Sequence, residues 1–276
     1  MTYLTHTAPI TLSTLAKYKK QAEKFSCLTC YDASFAYLMA QAGIDVILVG
    51  DSLGMVVQGQ ASTLPVTVAD MVYHTANVVR ANRHALIMTD LPFMSYATLS
   101  DAIVSSRAVM QAGANVVKIE GGSELAEIVS TLAKNGVPTC VHLGLTPQSV
   151  NVLGGYKVQG KTDAQAEKLL NDCEILVNAG ASMILLECVP AELAKKVTEK
   201  FSVPVIGIGA GVDTDGQVLV MHDMLGIYTK KPAKFVKDFL KDTGNETGDI
   251  LGAFVNYHQS VKNKTFPSVE HTFRAC

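Results

Sequence analysis

The sequence predicts an α/β fold, a (β/α)8 barrel with a capping helix before its first strand and helices after its last. Three observations carry this. Eight short apolar runs bounded by turn residues read as buried strands near 25–30, 46–50, 85–90, 116–120, 137–143, 183–188, 203–208 and 217–221. Segments of helical length at 68–81, 99–112, 123–135, 164–179 and 190–200 fall between them, and a strand reached through a helix pairs in parallel with its predecessor. The chain has 276 residues, 48% of them hydrophobic, which suits one barrel of roughly 250 residues better than two domains.

Taken in order, segment 11–24, with Leu12, Leu15 and Tyr18, reads as an amphipathic helix covering the barrel floor. Gln41-Ala42-Gly43, Gln111-Ala112-Gly113 and Asn178-Ala179-Gly180 each precede an apolar run, and the glycine there ends a helix. In 99–112, Ser100 is the expected cap, Ile103, Arg107 and Met110 follow, and Gly113 is the stop. Two connections, 52–66 after the second strand and 144–162 after the fifth, are longer than usual βα loops and read as lids or binding loops. From about 233 to 262, Phe235, Phe239, Ile250, Phe254 and Tyr257 mark a helical tail. No linker or low-complexity tract interrupts residues 1–276, which read as a single barrel domain.

A formal net charge of −2 leaves no basic excess to neutralise phosphates, which argues against nucleic-acid and membrane-surface partners. Lys19-Lys20 and Lys230-Lys231 read as solvated surface. No apolar run approaches the ~18 residues of a membrane span, and Met1 to Ile10 lacks the pattern of a signal peptide, so a cytoplasmic location is expected. The six cysteines (27, 30, 140, 173, 188 and 276) are scattered, mostly in apolar runs, and read as reduced and buried. Cys27 and Cys30 form a C-x-x-C without a second pair, and an offset of three on a strand points the two thiols to opposite faces.

The chemistry lies in the acids. Asp51, Asp90, Glu120 and Glu187 end four of the strands, and His142 ends a fifth. One such acid would do no more than cap a helix or close a turn. In a parallel barrel, however, all these ends share one face. Carboxylates brought together repel unless a cation or a proton compensates them. Oxygen ligands suit magnesium, which takes one or two carboxylates and leaves positions for substrate oxygens. Asp51, Asp90 and Glu120 are therefore the candidate metal acids, Mg2+ the candidate ion, and a 2-oxo acid the candidate substrate.

Lys118, two residues before Glu120 on the same side of its strand, is either a charge partner for the acids or the binder of a substrate carboxylate. Ser52 either donates to that carboxylate or serves a turn or cap. Glu187, among Leu185, Leu186 and Cys188, is the candidate base, since apolar surroundings raise a carboxylate pKa. His142 is either a satisfied strand histidine or a support behind the metal acids. The run Gly207 to Gly211 could cradle a phosphate or admit a flat ligand.

These residues stand in phrases that resemble the ketopantoate hydroxymethyltransferase family: VGDSLGM (49–55), STLPVT (62–67), DLPFM (90–94), VKIEGG (117–122), HLGLTPQS (142–149), GGYKVQG (154–160) and GIGAG (207–211). The resemblance runs from about Tyr18 to Asp223 and is less clear beyond. It implies transfer of a one-carbon unit from methylenetetrahydrofolate to 3-methyl-2-oxobutanoate, giving ketopantoate for pantothenate synthesis through a magnesium-stabilised enolate. The matching acids Asp51, Asp90 and Glu120 would surround the metal. Asp51, Ser52, Asp90 and Lys118 would contact the oxo acid, and Glu187 would be the base. The resemblance also implies a homo-oligomer, commonly a decamer. Folate contacts are sought in the two long loops and near Gly209.

Two rivals remain at this point. A magnesium-dependent oxo-acid lyase or mutase of the isocitrate lyase type would carry a reactive cysteine on a flexible loop, whereas Cys140 and Cys188 lie in apolar strands. A non-catalytic oxo-acid-binding barrel would have lost a metal acid or the base, and none is replaced here.

Overall fold

The computed structural model describes residues 8–228, 231–241 and 249–274. Eight parallel strands close into a barrel in chain order: β1 (Phe25–Thr29), β2 (Val46–Val49), β3 (Leu86–Asp90), β4 (Val116–Glu120), β5 (Thr139–Gly144), β6 (Met183–Glu187), β7 (Val205–Ile208) and β8 (Gly216–Leu219). β8 pairs back onto β1, with Phe25 beside Gly216 and Cys27 beside Val218. Each strand is buried along nearly its whole length, because helices cover the outer surface while side chains fill the inside.

The helices are α1 (Leu12–Lys20), α2 (Ala33–Ala42), α3 (Leu53–Val56), α4 (Val68–Ala81), α5 (Leu99–Gln111), α6 (Ala126–Lys134), α7 (Val150–Leu153), α8 (Asp163–Ala179), α9 (Ala191–Lys200), α10 (Met221–Met224) and α11 (Ile250–Lys262). The two long loops hold α3 and α7. Among the described residues, no helix is long and apolar enough to cross a membrane. Gly180 ends α8 at φ +110°, a conformation in which any side chain would be strained, and this turns the chain into β6.

Helix α5 departs from the sequence reading in two respects. Its cap is Thr98, whose Oγ1 accepts the backbone N–H of Asp101 at 3.2 Å, and Ser100 lies inside the helix. Its buried face is Ala102, Ser105, Ser106 and Val109, small residues that allow close packing, while Ile103 is exposed.

At the floor, Leu15 of α1 is fully buried and the Ile10 N–H donates to the His84 carbonyl at 2.8 Å. Lys19 is an anchor and not solvated surface: its ammonium lies 2.6 Å from Asp215, just before β8, and donates to the Thr198 carbonyl at 2.8 Å. Lys230 lies outside the described residues. The tail is helical in α11, whereas residues 231–240 run through turns and coil, so the helix expected from about 233 starts later.

Helix α11 packs against α2 and β1. Its buried Tyr257 hydroxyl lies 2.9 Å from the Cys27 carbonyl on β1 and 2.8 Å from the Gln217 carbonyl on β8. Five cysteines, Cys27, Cys30, Cys140, Cys173 and Cys188, are free and buried, and Cys276 lies outside the described residues.

The seam between β1 and β8 leaves no room for a side chain at Gly216, where a Cβ would run into the ring of the fully buried Phe25. Gly216→Ala should therefore cost about 1–3 kcal/mol through overpacking. A lowered urea midpoint with unchanged slope would report it, and an unchanged midpoint would contradict it.

Candidate active site

The barrel register builds the site. Parallel pairing sets Asp90 of β3 beside Lys118 of β4, and Glu120 of β4 beside His142 of β5. Partners in a ladder point to the same face, so one lysine, one histidine and two acids meet inside the upper mouth. Glu187 closes β6 opposite Gly144. Gly144, at φ +92°, must be glycine, since a Cβ would collide with the Glu187 carbonyl that accepts the Leu145 N–H.

The Lys118 ammonium lies 2.6 Å from Asp90 Oδ1 and 3.4 Å from Glu120 Oε1. His142 Nδ1 lies 3.2 Å from Glu120 Oε1, and its Nε2 lies 3.4 Å from Glu187 Oε2. Asp51, just past β2, donates its backbone N–H to Asp90 Oδ2 at 2.9 Å. The structure thus brings Asp51, Asp90, Lys118, Glu120, His142 and Glu187 together. Glu187 is the most exposed of the six, its side chain 14% exposed, and its near neighbour is the histidine more than the apolar residues of its strand. Ser52 begins α3 without capping it; its hydroxyl is 2.9 Å from the Tyr31 hydroxyl, which donates to Thr29 Oγ1 at 2.9 Å.

The electrostatics call for added positive charge. Burial, then Asp90 and Glu120, push the Asp51 carboxyl well above the usual range, although Lys118 and a hydrogen bond from Gln148 oppose them. Burial works against charge on Glu120 as well, but Lys118 and His142 outweigh it and bring that carboxyl down to about 2. Burial and Lys118 oppose a proton on His142, yet Glu120 and Glu187 hold the imidazole charged up to about 9. Lys118 is desolvated too, and Asp90, Glu120 and Asp51 keep it firmly charged. A cation joining the cluster would favour the ionised form of Asp51.

That donor set fits a hard divalent ion. Among the described residues, no three His, Cys, Asp or Glu side chains form a ready metal cage, so an ion here would take one or two carboxylates and fill its shell with water and ligand oxygens. Asp51 and Asp90, joined by the Asp51 N–H, are the pair best placed to provide them.

The two long loops meet over the mouth. The Tyr156 hydroxyl of the second lies 3.9 Å from the Met55 sulfur of the first. Its phenol is pushed up by burial and by Glu187, Asp51 and Glu120, as befits a ring held above the acids. The glycine run is no open cradle. A Cβ at Gly209 would strike Phe235 and Phe273, and one at Gly211 would strike Ala191, so the chain's own side chains fill that space.

Sequence reasoning missed Gln148, Tyr96 and Tyr31. Gln148 donates from Nε2 to Asp51 Oδ2 at 2.8 Å and from its backbone N–H to Glu120 Oε2 at 2.9 Å. Tyr96 donates to Gln148 Oε1 at 2.6 Å and accepts the Glu120 N–H at 3.2 Å. The one available signal was the place of Gln148 within the HLGLTPQS phrase.

Among known proteins, the chain matches the ketopantoate hydroxymethyltransferase family over residues 9–269, well beyond Asp223. It is 66% identical over 268 residues to a 3-methyl-2-oxobutanoate hydroxymethyltransferase of Psychrobacter sp. (strain PRwf-1), covering 96% of this chain and 99% of the relative. It is 60% identical over 266 residues to one of Acinetobacter baumannii (strain AYE), covering 96% and 98%. Among solved structures, phosphonopyruvate hydrolase in complex with oxalate and Mg++ shares the fold at a TM-score of 0.59 and 10% identity, over 76% of this chain and 80% of that one. With the family match spanning nearly the whole chain and such identity to its relatives, the chain belongs to the ketopantoate hydroxymethyltransferase family.

Proposed function

We propose that the protein transfers a one-carbon unit from methylenetetrahydrofolate to 3-methyl-2-oxobutanoate, giving ketopantoate, the first committed step toward pantothenate. One observation carries the reading: a buried rim of acids short of positive charge, with Glu187 set at its more open edge. When bound at Asp51 and Asp90, a magnesium ion supplies a Lewis acid for the 2-oxo group. Lys118, its three donors not exhausted by Asp90 and Glu120, binds the substrate carboxylate together with the Ser52 hydroxyl. Glu187 takes the proton from C3, and His142, charged and anchored on Glu120, orients the Glu187 carboxylate from 3.4 Å. The carbon freed of its proton forms a bond to the one-carbon unit, while both carbon–nitrogen bonds to the folate break and one water is consumed, so that tetrahydrofolate leaves and the water oxygen becomes the new hydroxyl of ketopantoate. Tyr156 and Met55 bound the mouth through which both substrates enter.

The folate donor and a homo-oligomeric state rest on the family resemblance. A lyase or mutase reading is disfavoured by the cysteines. Burial pushes the Cys140 thiol up to about 12 and the Cys188 thiol higher still, so neither is a reactive thiolate.

Proton NMR of 3-methyl-2-oxobutanoate in heavy water, with magnesium and without folate, tests the reading. The C3 proton signal should disappear with the wild type and persist with Glu187→Gln. Equal exchange with both would remove Glu187 as the base. No exchange, followed by no product once methylenetetrahydrofolate is added, would overturn the reaction itself.

Asp90→Ala should keep the fold yet lose magnesium-dependent binding of the oxo acid in titration calorimetry, and unchanged affinity would rule out its assignment. His142 bears on stability in the metal-free protein. Its pKa rises on folding from 6.5 to about 9, so its contribution is whole below 6.5 and drains away as pH climbs through about 9. Urea midpoints should show that decline in the wild type, and His142→Gln should lack it.

A further inference from the structure

Gln148 touches two acids of the rim, Asp51 and Glu120, without carrying charge. It is 6% exposed and opens the long loop after β5. Its Nε2 faces two acceptors, Asp51 Oδ2 at 2.8 Å and the Leu91 carbonyl at 2.9 Å, while its Oε1 accepts the Tyr96 hydroxyl at 2.6 Å. Two acceptors on one side and a phenol on the other fix the amide in a single orientation. Tyr96, 8% exposed, is fixed in turn by the backbone of Glu120: its hydroxyl accepts the Glu120 N–H at 3.2 Å and lies 3.1 Å from the Glu120 carbonyl. The Gln148 N–H completes the circuit on Glu120 Oε2. One residue thereby ties the loops after β2 and β3, the end of β4 and the loop after β5.

Glutamine suits this position for a chemical reason. Lysine or arginine would neutralise Asp51 and take the place of a metal, whereas an acid would add repulsion to a crowded rim. An amide N–H orients the Asp51 carboxylate and leaves its charge available. We propose that Gln148, held by Tyr96, is a positioning residue that presents Asp51 to the divalent cation and fixes Glu120 behind it, so that metal affinity depends on a neutral amide which never touches the metal. The inference rests on the magnesium reading above.

Calorimetric titration of magnesium into protein free of both substrates tests it, with thermal unfolding run alongside. Partners that orient metal ligands typically govern about 10–100-fold in affinity. Gln148→Ala should therefore weaken magnesium binding by about tenfold or more. Tyr96→Phe should weaken it less, and the double variant no more than Gln148→Ala alone, because the two act through one chain of hydrogen bonds. Gln148→Lys should abolish magnesium binding in a folded protein.

If Gln148→Ala fails to fold, Tyr96→Phe and Gln148→Lys carry the test. Wild-type affinity in the folded variants, or magnesium still bound by Gln148→Lys, would overturn this inference and leave the proposed reaction standing. A wild type that binds no magnesium would overturn both.

Discussion

A single buried ammonium holds the site together. Lys118 lies 2.6 Å from Asp90 and 3.4 Å from Glu120, and all three are almost wholly withdrawn from water. Removing one partner of such a pair typically costs about 3–5 kcal/mol, because a stranded charge remains. The arrangement is set by strand register: a slip of one residue between β3 and β4 would turn either Asp90 or Lys118 outward. In a closed barrel that slip would have to propagate around all eight strands, so the geometry of the acids is as firm as the barrel.

Around this charged centre the ties are neutral. Tyr31 holds Ser52, Tyr96 holds Gln148 and the Glu120 backbone, and Gln148 holds Asp51. Neutral donors fix position while leaving the net charge of the rim unaltered. Charge is set by Lys118 and His142 and falls short of what Asp51, Asp90, Glu120 and Glu187 together require. A rim both rigid and underneutralised can hold a divalent ion with few direct ligands and still leave coordination positions for a chelating substrate.

Much of this was legible in the sequence, and the exceptions share a cause. Strand ends were readable because buried strands are short apolar runs, and Asp90, Glu120 and Glu187 break such runs visibly. Gln148 and Tyr96 were not, since their roles exist only where loops from different strands meet, and neither residue titrates or ligates in a recognisable pattern. In α5 hydrophobicity misled: Ile103 is exposed, and the small residues Ala102, Ser105 and Ser106 are buried because they let helices approach closely. Lys19 looked like surface because its partner Asp215 lies 196 positions away. The glycines from 207 to 211 looked like a ligand cradle because nothing local reveals that Phe235 and Phe273 lie against Gly209.

The way the barrel is sealed bears on its manufacture. The seam joins the first strand to the last, and the Tyr257 hydroxyl that bridges Cys27 and Gln217 follows Cys27 by 230 positions. At about 20 residues per second, a ribosome needs on the order of ten seconds to deliver the bridging tyrosine after β1 has been made. Until β8 follows, β1 has β2 on one side only, and its other edge is an unpaired strand edge of the kind that can join another unfinished chain. Closure of the barrel therefore waits on the most distant pairing in the sheet, that of Phe25 to Leu28 with Gly216 to Leu219.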